Sequence, residues 1–243
     1  MCHARLLTPH RPPGLVGFLL GAKMLQLRTA VIVDYQNLHL VGARLFEPSK
    51  QLHECLVHPL NYANQIIRRR NLQLGLGESH ATLSKVLVYR GMPSPLQDPK
   101  PYARNQAQKS EWERDRRVKV TLRPLKYKYE WTVDGHKATD SGGVPIVISK
   151  SEKGIDVLCA LALVREAQDP RIDLVILASQ DTDLEPALDE ALTLGKAKIE
   201  TASWYSSAEY WSKEIRPSRL HRIRNTRMDG GAFLAVQDPK NYA

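Results

Sequence analysis

The sequence predicts an α/β fold: a central, mostly parallel sheet sandwiched between helices, with a β-hairpin inserted into it. Three observations carry this. Ala30 to Val33 and Leu174 to Leu177 are short, uninterrupted apolar runs, the pattern of strands buried on both faces of a parallel sheet. Stretches of helical periodicity follow the apolar runs along the chain. Between them, the alternating KYKYEW of Lys126 to Trp131 runs toward Asp134-Gly135, a strong hairpin-turn signal.

Taken in order, the first strand is expected at Thr29 or Ala30 and ends in Asp34. Asn37 to Arg44 leaves it as a short helix or loop. Pro59 to Arg70 has Leu60, Ala63, Ile66 and Ile67 at helical spacing, and Arg68, Arg69 and Arg70 at its end complement the helix dipole. Leu83 to Tyr89 reads as a strand. Gly91, Pro93, Pro95 and Pro99 then break the chain before a polar helix over Pro101 to Arg117. Val118 to Leu122 is the next strand, and Lys126 to Thr139 the hairpin, placed within an insert at about 126–140. A crossover helix is expected over Ser151 to Ala167, with Ile155, Leu158, Ala162 and Arg165 tracing one stripe, widened by Leu161 and Val164. Val175 to Leu177 continues from Leu174 as a strand and stops at Ser179, Gln180 and Asp181. Leu184 to Leu194 is helical and Gly195 closes it. Lys198 to Ala202 reads as the last strand, and Trp204, Tyr205 and Trp211 read as packing residues at least as much as a binding surface. Residues 1–23 read as a disordered extension or a mis-assigned start. The globular domain then spans 24–215, and 216–243, rich in arginine from Arg216 to Arg227, reads as a basic segment and polar tail.

The chain has 35 Lys and Arg against 26 Asp and Glu, a formal net charge of +9. Such an excess points to a polyanionic partner, nucleic acid before membrane. No stretch is apolar for long enough to span a bilayer. Cys2, Cys55 and Cys159 form no CxxC pair, which argues against a zinc ribbon or a disulfide framework and fits a reducing cytoplasm. His53, Cys55 and His58 do not share a helical face and lack a distant ligand pair. Lysines interleaved with aromatics, Lys126 and Lys128 with Tyr127 and Tyr129, suit phosphate contact plus base stacking; an edge strand with its lysines outward reads equally well. Lys153 and Arg222 are further candidates for contact with nucleic acid.

Parallel strands deliver their carboxyl ends to one sheet edge, where ligands of open α/β sheets bind. Asp34, Asp181 and Asp183 belong to that edge. The crossover helix runs back antiparallel to the strands, so Asp156 in its first turn arrives there too. Each acid has a simpler reading, as a helix cap or a carboxylate at the positive end of a helix. Asp229 is a possible further acid with nothing local to place it. Clustered carboxylates without a Ser, His or Cys nucleophile suit Mg²⁺ or Mn²⁺, which prefer oxygen ligands. With a basic surface around them, they point to metal-dependent hydrolysis of a phosphodiester. An aspartyl-phosphate phosphohydrolase normally has DxD after its first strand, where this chain has DYQN, and a Toprim-type site expects a glutamate there.

The segments AVIVDYQNL, SEKGIDVLCALALV and VILASQDTDLEPAL, in this order, resemble the successive motifs of the NYN domain family, a branch of the PIN-like ribonucleases. The resemblance spans roughly residues 29–204. It implies a PIN-like, Rossmann-like αβα sandwich and an acidic pocket for Mg²⁺ or Mn²⁺ formed by Asp34, Asp156, Asp181 and Asp183. Asn37 matches the family asparagine that shapes the pocket, and Ser179 lies in the family's SGDSDF-like motif. There Gln180 replaces the glycine and Leu184 the phenylalanine. The expected function is an RNA endonuclease; the alternative is an RNA-binding module on the same fold that has lost the activity. The oligomeric state is left open, a homodimer included.

Overall fold

A computed structural model describes residues 26–208, 213–218 and 222–242. The expected extension at 1–23, the proposed start at Met24, and Trp211 and Arg219 lie outside them. Six strands form one sheet: β1 (Leu27–Asp34), β2 (Ala81–Met92), β3 (Val118–Pro124), β6 (Leu174–Ala178), β7 (Lys198–Trp204) and β8 (Asn225–Met228). Their spatial order is β3-β2-β1-β6-β7-β8, and every pairing is parallel. The helices are α1 (Tyr35–Phe46), α2 (Pro59–Leu72), α3 (Pro99–Trp112), α4 (Ile155–Gln168), α5 (Glu185–Leu194) and α6 (Gly230–Val236).

Alternation along the strands divides the apolar residues between two cores. Val31 and Val33 of β1 and Ile176 of β6 face a core built with α1, α2, α3 and α6. Ala30, Ile32, Val175 and Leu177 face a second core closed by α4 and α5. The result is the expected αβα sandwich, with four of the described helices on one face and two on the other.

Several local expectations are corrected. The inserted arm does turn at Asp134-Gly135, where Trp131 bridges to Lys137. The main partner of β4 (Lys126–Tyr129), however, is β5 (Val147–Ser151), reached after a second turn at Gly143. The hairpin expected to end at Thr139 is therefore a longer arm over 126–151. Ser151 is paired with Lys126 in that ribbon, so α4 starts at Ile155 rather than Ser151. Its buried stripe is Ile155, Cys159, Ala162, Leu163 and Glu166, whereas Leu161 is 60% exposed. The helix packs on both the sheet and α5, which rotates its buried face away from the stripe read from periodicity alone.

The expected C-terminal tail is corrected as well. Asn225–Met228 joins the sheet beside β7, and α6 inserts Ala232, Phe233 and Val236 into the core. A four-residue strand and a seven-residue helix are too short to show a period. Phe233 packs against Phe46 and Trp204, with ring centroids 5.3 and 5.4 Å apart. Phe233→Ala is expected to cost about 3–5 kcal/mol in a denaturant melt; a loss within about 0.5 kcal/mol, ordinary for an exposed site, would show that α6 is a surface appendage.

Arg70 is the second large departure. Its side chain and that of Glu200 on β7 are both 0% exposed. Nε and Nη2 donate to the two Glu200 oxygens at 2.8 and 3.0 Å, and Nη1 donates to the Ser79 carbonyl at 3.0 Å. The pair ties α2 to the sheet and removes Arg70 from any phosphate-binding surface. Glu200→Ala would strand a buried guanidinium and is expected to lower stability by roughly 3–5 kcal/mol. Arg70→Met combined with Glu200→Leu should recover much of that loss; a single variant as stable as wild type would overturn this account.

Candidate functional site

β1 and β6 are neighbours, with Val33 abreast of Ala178. The residues that follow each strand therefore meet at one edge, and hydrogen bonds lock them together. Ser179 Oγ donates to Asp34 Oδ2 at 3.0 Å and accepts the Asp181 N–H at 3.1 Å. Asp34 Oδ1 accepts the Asn37 N–H at 3.4 Å, capping α1, while Asn37 Oδ1 accepts the Gln180 N–H at 2.8 Å. Asp181 Oδ1 in turn accepts the Asp183 N–H at 3.1 Å and caps the 3-10 turn Thr182–Leu184.

Gln180 fits this turn without a left-handed backbone. No residue other than glycine among those described has a positive φ, so the turn makes no demand for it. The Gln180 side chain accepts the Trp204 N–H at 3.0 Å and donates to the Lys213 carbonyl at 3.1 Å, clamping the end of β7. Leu184 is buried under α4 and α5.

The start of α4 completes the edge. Gly154 adopts φ 72°, the left-handed region that favours glycine, and turns the chain from β5 into the helix. Asp156 follows in the first turn. A cleft of about 490 Å³ opens between these segments, lined by Asp34, Asn37, Glu152, Lys153, Asp156 and Asp181 among others. Three of the four expected aspartates thus share one cleft. Asp183 is exposed and is not among its lining residues, because the 3-10 turn begins between it and Asp181.

Glu152 was not singled out from the sequence. The signal in the sequence is its position four residues before Asp156, across Gly154. Its Oε1 accepts the Gly91 N–H at 2.5 Å, and the Gln36 amide, oriented nitrogen-inward, donates to Oε2 at 2.9 Å. A Cβ on Gly91 would stand 2.5 Å from that Oε1, so only glycine lets the carboxylate reach the backbone.

The remaining candidates lie elsewhere. Asp229 caps α6 and pairs with Arg69 at 2.6 Å, which holds its carboxyl below the usual range. Tyr127 donates to Asp98 Oδ2 at 2.7 Å and accepts the Ser94 N–H at 2.8 Å. Tyr129 lies beside Tyr127 and carries Lys137 over its ring at 3.9 Å. Tyr127 is thus tied to the segment around Ser94 and Asp98 and Tyr129 is covered within the arm, while Lys126 and Lys128 are exposed, as is Arg222. None of these five lines the acidic cleft.

Electrostatics single out Asp34. It is 5% exposed, and its carboxyl is pushed up to about 6. Burial is the main cause; the hydrogen bonds from Ser179 and Asn37 oppose it, and the Asp181 and Asp156 charges add to it. Burial also raises Glu152, against the pull of the Gly91 N–H and with a push from Asp34. The cleft's acidic and amide donors are all oxygens, which suits a hard cation held by one or two carboxylates that keeps much of its water. Among the described residues no three His, Cys, Asp or Glu side chains are arranged to enclose an ion by themselves, so water or substrate oxygens would complete its shell. No described helix is long and apolar enough to cross a membrane.

No family model matches the chain, and no curated protein matches it. Among solved structures it is similar to a protein of unknown function from Vibrio parahaemolyticus RIMD 2210633, at 18% identity over 72% of this chain and 80% of that one, with a TM-score of 0.40.

The Asp34 shift has a measurable sign. An unfolded aspartate titrates near 3.9, below the folded value of about 6. The protonated side chain's advantage is full below about pH 4 and is lost as pH rises through 6, leaving the ionised native state penalised by roughly 2–3 kcal/mol. Relative to wild type, Asp34→Asn should therefore gain about that much stability between pH 4 and pH 7. A stability difference that is flat across this range would show that Asp34 is not desolvated as described.

Proposed function

We propose that the protein is a metal-dependent RNA endonuclease of the NYN type. The observation that carries this reading is that Asp34, Asp156 and Asp181, delivered by three separate chain segments, line one cleft at the carboxyl edge of the sheet. Three acids brought together and partly desolvated at a ligand-binding edge raise the cost of the empty site, as carboxylates meant to hold a cation would. Mg²⁺ or Mn²⁺ bound there would neutralise charge on the scissile phosphate and make an attacking water more acidic. One or two of the carboxylates of Asp34, Asp156 and Asp181 would hold the ion, with water or substrate oxygens completing its shell. Ser179 and Asn37 fix the Asp34 carboxylate and the Gln180 backbone, so the carboxylates are oriented before substrate arrives. Lys153, exposed on the cleft wall, presents a cation to an incoming phosphate. Glu152 adds a fourth carboxylate. Cys55 and Cys159 are buried and unpaired, which fits action in a reducing cytoplasm.

A second reading, an RNA-binding module without catalysis, is favoured by one observation: Asp183 lies outside the cleft and the remaining acids do not enclose an ion unaided.

Asp181→Asn separates these readings from a purely local role. Asparagine keeps the acceptor for the Asp183 N–H and removes one charge. Metal-free variant should melt at the wild-type temperature or above it. Millimolar Mn²⁺ should stabilise wild type, by about 2.7 kcal/mol at a hundredfold excess over Kd, and the variant less, and the variant should cleave no RNA. A wild-type melt indifferent to Mn²⁺ would sink the nuclease reading. Metal binding without cleavage of any RNA would favour the binding module.

A further inference from the structure

Among the described helices, α4 and α5 pack on the second face of the sheet. A groove of about 570 Å³ remains open between β3 and α4. Leu87 and Tyr89 of β2 form its floor and Leu158 and Leu161 of α4 its far wall. The near wall is β3, whose alternation buries Val118 and Val120 in the first core and turns Lys119, Thr121 and Arg123 toward the groove side. Lys119 and Arg116 line the groove and are exposed.

The charges here are unequal in kind. Lys85 is neutralised by Glu166 and Asp169 at 2.6 and 3.3 Å, and Arg117 is tied to Asp115 at 2.8 Å. Glu166, the one carboxylate on the lining, is nearly buried and also meets Arg165 at 3.4 Å. Arg116, Lys119, Arg123 and Lys153 have no carboxylate within ion-pairing distance among the described residues. They form an uncompensated basic row. Lys119 and Arg123 are four apart on the strand with Thr121 between them, roughly 13 Å, a step suited to alternate phosphates of an extended single strand.

The row leads to the acidic cleft. Arg123 Nε lies 3.3 Å from where a Cβ on Gly154 would stand, and Gly154 and Lys153 both line that cleft. Tyr89, at the upper end of the groove floor, is abreast of Asp34. We propose that this groove is the track along which a single strand of RNA lies as it enters the acidic cleft, its phosphates on Arg116, Lys119 and Arg123 and its bases against Leu158 and Leu161. The direction of travel rests on the nuclease reading; the binding does not. With no exposed aromatic in the lining, bases meet apolar surface without stacking, so the track should take any sequence. The arm at Lys126–Tyr129 fits this role less well, since both its tyrosine rings are already engaged.

The test uses a short fluorescent oligouridine, in EDTA so that no metal-dependent cleavage occurs. The variants are Lys119→Glu/Arg123→Glu and the milder Lys119→Gln/Arg123→Gln, all at exposed positions, with melts to confirm folding. Wild type should bind, and the Glu pair should bind at least about tenfold more weakly at low salt. The log–log salt slope of the Gln pair should be shallower by about 1.4, from roughly 0.7 per lost phosphate contact. Unchanged affinity and slope would overturn the proposal. So would no binding by wild type, tighter binding of a duplex of equal length, or a loss confined to Lys126→Glu/Lys128→Glu. A wild type that binds through the groove and cleaves nothing with Mn²⁺ keeps the track and rejects the nuclease. Metal-dependent cleavage with unimpaired binding by the groove variants does the reverse.

Discussion

Val33 and Ala178 sit abreast in adjacent parallel strands, and the rest of the edge follows from that register. A slip of one residue would turn every side chain of a strand to the other face. Val31 and Val33 would then leave one core and Ala30 and Ile32 the other. Because both faces of β1 are buried, the register cannot slip without exposing apolar surface on both sides. Asp34, Ser179 and Asp181 inherit that rigidity. The Ser179 hydroxyl, bonded to both Asp34 and the Asp181 backbone, converts strand alignment into carboxylate placement. The third acid arrives by a different route, through Gly154 and the antiparallel return of α4.

The +9 charge is not spread as a uniform coat. Arg70 is sealed inside against Glu200, Arg69 holds Asp229 at the start of α6, and Arg28, Arg117 and Arg171 pair with nearby aspartates. These cations tie helices and loops to the sheet. Besides these pairs, Arg116, Lys119 and Arg123 along β3 and Lys153 at the lip of the cleft have no ion-pair partner among the described residues, opposite in sign to the acids within. A polyanion would be drawn to the lip by these charges and held off the acids unless a cation lay among them.

The edge aspartates also explain a tension in the fold. Desolvating Asp34 beside Asp156 and Asp181 works against folding at neutral pH. The large mixed core under α1, α2, α3 and α6 offsets this, with Trp112, Trp204 and Phe233 fully buried in it. Strain of this kind is tolerated near sites and compensated elsewhere.

Much of the fold was readable because it is written in local patterns. The apolar runs at Ala30 and Leu174 and the helical periods after Pro59 and Leu184 each announce themselves within a few residues. Once those strands are parallel, the arrival of Asp34, Asp156 and Asp181 at one edge follows from chain direction alone. What the sequence left open depended on partners far away in the chain. Arg70 is buried because Glu200 stands opposite, 130 residues on. Glu152 enters the cleft because Gly91 offers an N–H, and β5 rather than the nearer strand pairs with β4 because the arm turns twice. β8 and α6 are too short to carry a period and owe their structure to β7, Phe46 and Trp204. Asp183, two residues from Asp181, is carried out of the cleft by a single 3-10 turn. Period and polarity act over a turn or a strand and are visible in one segment, whereas burial, pairing and the direction of a side chain are set by whatever the folded chain brings against it.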